Sequence, residues 1–295
     1  MTVNEQAWQL EQFERFRPHL QAVAYRMLGS VSEADDALQE AWLRLSRADT
    51  DGVANLGGWL TTVVGRVCLD MLRSRKSRRE EPLEAPGSGA RAVAHHAPDP
   101  ETEAMLADSV GIATLVVLDR LKPGERLAFV LHDLFDIPFD EIARIAGRSS
   151  ESVRQLASRA RRRVRGITGV SNPAIAEQRS LVDAFLTALR AGDADQIATL
   201  LTPDFAVDAD HAAAAAVPTD VRGAEAWAKL AVQTAKGARF ARPALIDGVV
   251  GVVIAPRGRL FRVLRFAFAE GRIAHMEVIA DPATLEKLDL AAFAD

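Results

Sequence analysis

Residues 147–165 read GRSSESVRQLASRARRRVR and combine a helix start, an apolar back and a guanidinium-rich front. Ser149 can cap a helix, because its short hydroxyl reaches an unpaired backbone N–H of the first turn. Behind it Val153, Leu156, Ala157, Ala160 and Val164 recur at helical spacing and make one apolar stripe. Opposite stand Gln155, Ser158 and Arg162, flanked by Arg154 and Arg161 on one side and Arg159 and Arg163 on the other. With Arg148 and Arg165, these arginines face a single acid, Glu151, so the stretch suits a phosphate-lined groove. Upstream, Phe139, Ile142, Ala143, Ile145 and Ala146 form a short amphipathic pattern after Pro138, and Gly147 breaks it. A helix, a tight glycine turn and a second helix with a polar front predict a DNA-binding helix-turn-helix over 138–165, its second helix in the major groove. Arginine suits guanine edges and phosphates, glutamine suits adenine, and serine suits either. The competing reading is a helical hairpin with a solvated basic surface.

The chain has 295 residues, enough for two or three domains, and a formal net charge of −4. Nucleic-acid contact must therefore come from local patches. A second patch exists: Arg66, Arg73, Arg75, Lys76, Arg78 and Arg79 fall in one short run opposed only by Asp70. The single cysteine, Cys68, excludes an internal disulfide and a thiolate zinc cluster and fits a reducing compartment. No apolar run approaches the length of a membrane span, and the first residues lack a signal-peptide pattern. A soluble cytoplasmic protein without a membrane partner is expected.

Residues 8–29 read as helix, with Phe13, Phe16, Leu20, Val23, Ala24, Met27 and Leu28 inward and Gly29 as the stop. Ser32 with Asp35 predicts a capping box for the next helix, to Leu45, buried through Ala34, Ala37, Leu38, Ala41, Trp42 and Leu45. Its other face shows Asp36, Gln39 and Glu40 around Leu43. Such a surface repels DNA and suits a protein partner, although an ordinary solvated face reads the same way. From Trp59 to Arg75 a third helix buries Leu60, Val63, Val64, Val67 and Met71, while Trp59, Thr62, Arg66, Asp70 and Arg73 line another stripe. A ring interleaved with guanidinium groups fits single-stranded DNA, since bases stack on the ring and phosphates pair with arginine. Residues 80–103 are rich in Pro, Gly, Ala, Glu and His and predict a flexible linker. His95–His96 have no partner residues there, so no metal is expected. Helices resume at Met105–Leu121 and Gly124–Phe135.

After Gly166 the pattern changes. Helices are predicted at Pro173–Ala191, Asp195–Leu201 and Trp227–Lys236. Strands are predicted at Arg239–Ile246, Val249–Ala255, Leu260–Phe268 and Ile273–Ile279, joined by hairpin turns at Asp247–Gly248, Pro256–Gly258 and Glu270–Gly271. This order implies an α+β domain with a curling antiparallel sheet, a cone-like half barrel. With 13 basic against 16 acidic residues over 171–295, it is not a second DNA-binding unit. Asp208, Asp210, His211 and His275 are its candidates for acid–base work, but no pair is fixed by spacing.

Taken together, these pieces resemble an extracytoplasmic-function sigma factor, the small initiation subunit of bacterial RNA polymerase, over about residues 10–165. SEADDALQEAWLRLSR (32–47) resembles the family's polymerase-clamp-binding helix, and GGWLTTVVGRVCLDMLRSRKSRRE (57–80) its promoter-melting segment. The stretch 116–164 resembles its reader of the upstream element. Residues 173–290 are similar to the SnoaL-like, NTF2-type domain fused to a subset of these factors, through RGAEAWAKL (222–230) and RIAHMEVIADP (272–282). The resemblance implies a multi-domain chain: two all-α sigma domains, 1–79 and 104–168, a linker at 80–103, and an α+β half barrel at 169–295. It implies as partners core RNA polymerase, through its clamp helices and upstream-facing flap, and promoter DNA. Asp36, Gln39, Glu40 and Leu43 would meet the clamp. Trp59, Thr62, Arg66 and Arg73, with Arg75 and Lys76, would meet the −10 element. Arg148, Ser150, Ser152, Arg154, Gln155, Ser158, Arg159 and Arg162 would meet the −35 element. No cofactor and no catalysis are implied, and the last domain would tune activity through contacts within the chain. Two stretches depart from the family pattern. The linker's aromatic-rich motif is reduced to REEPLEAP (79–86), and DADHAAAAAVPT (208–219) stands where a glycine-rich segment is common. The rival function is a one-component helix-turn-helix regulator with a ligand-sensing domain.

Overall fold

A computed structural model describes residues 3–48, 53, 55–80, 112–164, 173–214, 217, 221–234, 237–256 and 259–293. Residues 81–103 of the expected linker, with His95–His96, Arg165, and 105–111 of the helix expected from Met105, lie outside the described residues. The described chain forms two compact units, one from Met1–Val110 and Leu118–Arg161, the other from Gly111–Val117 and Arg162–Asp295.

The first unit begins with α1 (Val3–Leu28) and α2 (Val31–Leu45). The cap of α2 is Ser30, not Ser32: the Ser30 hydroxyl accepts the Glu33 N–H at 3.5 Å, in an S-x-x-E pattern two residues earlier than expected. Phe13, Leu20, Val23, Ala24 and Met27 of α1 are buried, as are Ala34, Ala37, Leu38, Ala41 and Leu45 of α2. Trp42 is half-buried and meets the Phe13 ring edge-on at 5.4 Å. The third helix, α3 (Leu56–Glu80), starts earlier than expected because Asn55 caps it, accepting the Gly58 N–H at 3.0 Å.

After α4 (Ile112–Asp119) comes α5 (Pro123–Phe129), whose proline sits in the first turn, where no N–H is needed. The helix expected to run to Phe135 instead widens at Val130–Leu134 into one π-helical turn. Then α6 (Phe139–Ala146) and α7 (Ser150–Val164) form the helix-turn-helix. Gly147 carries the turn at φ 64, a left-handed conformation costly for any residue with a Cβ. The Ser149 hydroxyl accepts the Ser152 N–H at 3.2 Å, as its short side chain predicts. Ile142, Ile145, Val153, Ala157 and Ala160 are buried, which is the stripe read from spacing, while Leu156 is half-buried.

In the second unit, α8 (Pro173–Ala191) and α9 (Ala194–Leu200) lead into a six-stranded open sheet of order β1-β5-β4-β3-β2-β6. Its strands are β1 (Leu201–Ala209), β2 (Ala241–Ile246), β3 (Val249–Ile254), β4 (Arg262–Ala269), β5 (Arg272–Ile279) and β6 (Leu290–Ala291). Short helices α10 (His211–Ala214), α11 (Ala224–Thr234) and α12 (Pro282–Lys287) fill the connections. Asp247–Gly248 and Glu270–Gly271 all take positive φ, which the twist of a two-residue hairpin requires. The sheet departs from the antiparallel expectation at one edge, where β1 runs parallel to β5. Strand β1 was not expected at all, because Pro203 removes a ladder donor; it lies in the register break between Leu201 and Ala206 on an edge strand. Phe185, Phe205, Trp227 and Phe266 pack together in the core, with ring centroids 5.0–6.2 Å apart.

Candidate nucleic-acid and protein interfaces

On α7, Arg154, Gln155, Ser158, Arg159 and Arg162 are exposed on one side of the helix, as is Arg148 in the turn. The Arg154 guanidinium lies 5.5 Å from the centroid of the Phe139 ring, which orients it while leaving donors outward. Ser150 is half-buried and its hydroxyl donates to Asp140 of α6; Ser152 is half-buried too. The structure thus separates Ser150, which ties the two helices, from the outward arginines. Arg161, a flank residue, pairs with Asp133 at 2.5 Å.

On α2, Asp36, Gln39, Glu40 and Leu43 are exposed, Leu43 at 40%, an open leucine beside carboxylates. Glu40 accepts from Arg44 at 3.0 Å, an exposed pair of the kind that stabilises little.

The α3 residues divide. Arg73 is exposed, 3.8 Å from Asp70, and Trp59 is half-buried. Thr62 is half-buried and donates to the Gly58 carbonyl at 3.0 Å. Arg75 is an ion-pair partner of Glu33 on α2, both largely shielded from water. Arg66 is exposed yet donates to the Arg144 carbonyl at 3.2 Å, at the end of α6. The side chain of Lys76 lies outside the described residues. Sequence reading missed why α3 is so deeply buried. Beyond the expected stripe, Thr61, Cys68, Leu69 and Leu72 are buried, and the helix packs on α5 and α6 as well as on α1 and α2. At Gly65 an added Cβ would come 3.3 Å from Leu131 and 3.7 Å from Ile145.

Arg126 of α5 was also missed. It is 2% exposed, donating to the Arg26 carbonyl at 3.3 Å and to Asp119 at 3.2 Å, and burial pushes its guanidinium below the usual range. Nothing in GERLAF marks an arginine as buried. Burial likewise pushes the Cys68 thiol up to about 12.

In the second unit the acid–base candidates do not converge inside the sheet. His275 Nε2 meets Asp208 at 2.9 Å, but the Asp208 side chain is 80% exposed. Asp210 is a structural acceptor: although desolvation works the other way, the N–H groups of Asp281, Ala280 and Ala213 hold its carboxyl below the usual range. His211 is exposed. Among the described residues no group of three or more His, Cys, Asp or Glu is placed to hold a metal ion, and no helix is long and apolar enough to cross a membrane.

A family model of sigma-70 region 2 matches residues 12–78, and one of sigma-70 region 4 matches 113–164, the unit of α1–α3 and the helix-turn-helix segment. The chain is 37% identical to the ECF RNA polymerase sigma factor SigJ of Mycobacterium tuberculosis, covering 93% of this chain and 92% of that one. It is 32% identical to the probable ECF RNA polymerase sigma factor SigI of the same species, over 92% and 93%. The crystal structure of SigJ aligns with a TM-score of 0.43 at 32% identity, covering 94% and 98%. The two sigma-70 region matches and the two sequence relatives define a sigma-70-type transcription initiation factor. The chain belongs to the extracytoplasmic-function RNA polymerase sigma factors, whose members direct transcription initiation. A free-standing one-component regulator leaves the region 2 match without a purpose.

Proposed function

We propose that the chain divides its work by charge. Asp36, Gln39, Glu40 and Leu43 dock α2 on the clamp helices of core RNA polymerase. The helix-turn-helix unit, seated by the upstream-facing flap, presents Arg148, Arg154, Gln155, Ser158, Arg159 and Arg162 to the −35 element, with Ser150 and Ser152 fixing the approach. Trp59, Thr62, Arg66 and Arg73, with Arg75 and Lys76, meet the melted −10 strand. The C-terminal domain tunes affinity for polymerase without bond chemistry of its own. This work lies in the cytoplasm, beside the polymerase.

The observation that carries the reading is the pairing of an exposed acidic face with a leucine on α2 and an exposed arginine face on α7. A carboxylate face is repelled by DNA and an arginine face is drawn to it, so one helix takes a protein and the other a promoter. The packed first unit adds a condition. Elements at −10 and −35 lie about 25 base pairs apart, roughly 85 Å of duplex. Since α3 touches α5 and α6, this packing must open before both elements are held, and the Arg66–Arg144 bond breaks in doing so.

Reversing charge at Asp36 and Glu40 tests the division. Asp36→Lys with Glu40→Lys should abolish co-purification with core polymerase while leaving binding to a −35 duplex in place. Undiminished attachment to the core would remove α2 as the docking helix.

A further inference from the structure

A cleft of about 420 Å³ opens within the first unit. Four cations line it: Arg73 of α3, Lys122 before α5, Arg148 of the turn and Arg159 of α7. Among the described residues lining it the one acid is Glu125, which is 2% exposed and whose carboxylate accepts the Lys122 backbone N–H at 3.3 Å. Leu69 and Leu156 supply an apolar wall.

With Asp70 3.8 Å from Arg73 and Glu125 in the wall, four cations face two carboxylates and leave the cleft with an excess of positive charge. Gathering like charges costs free energy unless an anion enters, and guanidinium groups grip phosphate oxygens through paired N–H donors. The volume is that of a small-molecule site and far too small for duplex DNA. We propose that this cleft binds a small anion bearing a di- or triphosphate group, which bridges α3 to the helix-turn-helix and competes with promoter DNA. The competition rests on the reading of Arg73, Arg148 and Arg159 as DNA contacts; the binding does not. An anion held there ties up those arginines and stabilises the packing that must open on a promoter. It would act as a brake set by the concentration of the phosphorylated compound.

Calorimetric titration of the full chain tests this, with tripolyphosphate and ATP as separate probes. One saturable site is expected. Lys122 is exposed and belongs to neither proposed DNA surface, so Lys122→Ala should fold normally and weaken binding roughly tenfold by removing one charge-assisted contact. Arg47→Ala, at an exposed position outside the cleft, should leave binding unchanged. ATP tighter than tripolyphosphate identifies a nucleotide that uses the Leu69–Leu156 wall, and equal affinities identify an inorganic chain; both support the site. No saturable binding of either probe, or equal losses in Lys122→Ala and Arg47→Ala, overturns it. Arg154→Ala, outside the cleft, separates the two readings. If it leaves promoter binding intact while the Lys122-dependent titration persists, the DNA assignment falls and the anion site stands.

Discussion

Arg154 and Arg159 carry the sharpest expectation at the scale of single residues. Both are exposed on the face of α7 opposite its buried stripe. If each reaches a base edge, Arg154→Ala or Arg159→Ala should weaken promoter use by about 1–3 kcal/mol in run-off transcription from reconstituted holoenzyme. Duplex with a scrambled −35 element losing the same affinity would mean phosphate contact only. His19 gives a pH dependence. His19 is exposed as a residue, but its Nε2 lies 3.3 Å from the Thr61 hydroxyl and its ring meets the Phe135 ring edge-on at 5.3 Å. Burial first, and then the nearby Arg26 charge, lower its pKa from the ordinary 6.5. The unfolded chain therefore takes up a proton more readily than the folded one. The stability this neutral ring contributes is complete above pH 6.5 and is lost as pH falls through the lower folded value. His19→Gln should flatten that acid-side loss in thermal melts; an unchanged slope would exclude His19 as its source.

Helix α3 packs against both the N-terminal helices and the helix-turn-helix segment. Steps of three and four read Trp59, Thr62, Arg66, Asp70 and Arg73 as one stripe; in the structure Arg66, Asp70 and Arg73 are exposed while Trp59 and Thr62 are half-buried. The burial of Thr61, Gly65, Cys68 and Leu69 was not legible, because it depends on α5, α6 and the π turn arriving from far along the chain. Gly65→Leu should overpack Leu131 and Ile145, costing about 1–3 kcal/mol and pushing the helix-turn-helix outward. Cys68 reports this directly, since its thiol is buried and held protonated. Thiol-reagent labelling should be slow in the parent protein and faster in Gly65→Leu; equal rates would mean that Gly65 does not control the packing. The misplaced cap of α2 belongs to the same scale. Ser30 and Ser32 are both capable acceptors, and only the backbone conformation at Ser30 decides between them.

For the whole molecule, the expected control lies in the second unit. Removal of residues 166–295 should change promoter-specific run-off or affinity for core polymerase. If neither changes, the tuning role is wrong. Family membership was readable through the resemblance of 32–47, 57–80 and 116–164 to sigma-factor segments, and the α-then-α+β order through helical and strand periods and hairpin glycines, which act over a few residues. Tertiary structure alone decided that β1 forms an edge parallel to β5 despite Pro203, and that Arg126 is buried. It also decided that Asp210 is held by backbone N–H groups, and that Arg73, Lys122, Arg148 and Arg159 share one cleft. Each of these depends on groups distant in sequence meeting in space, where desolvation and partner geometry, not local pattern, set what a side chain does.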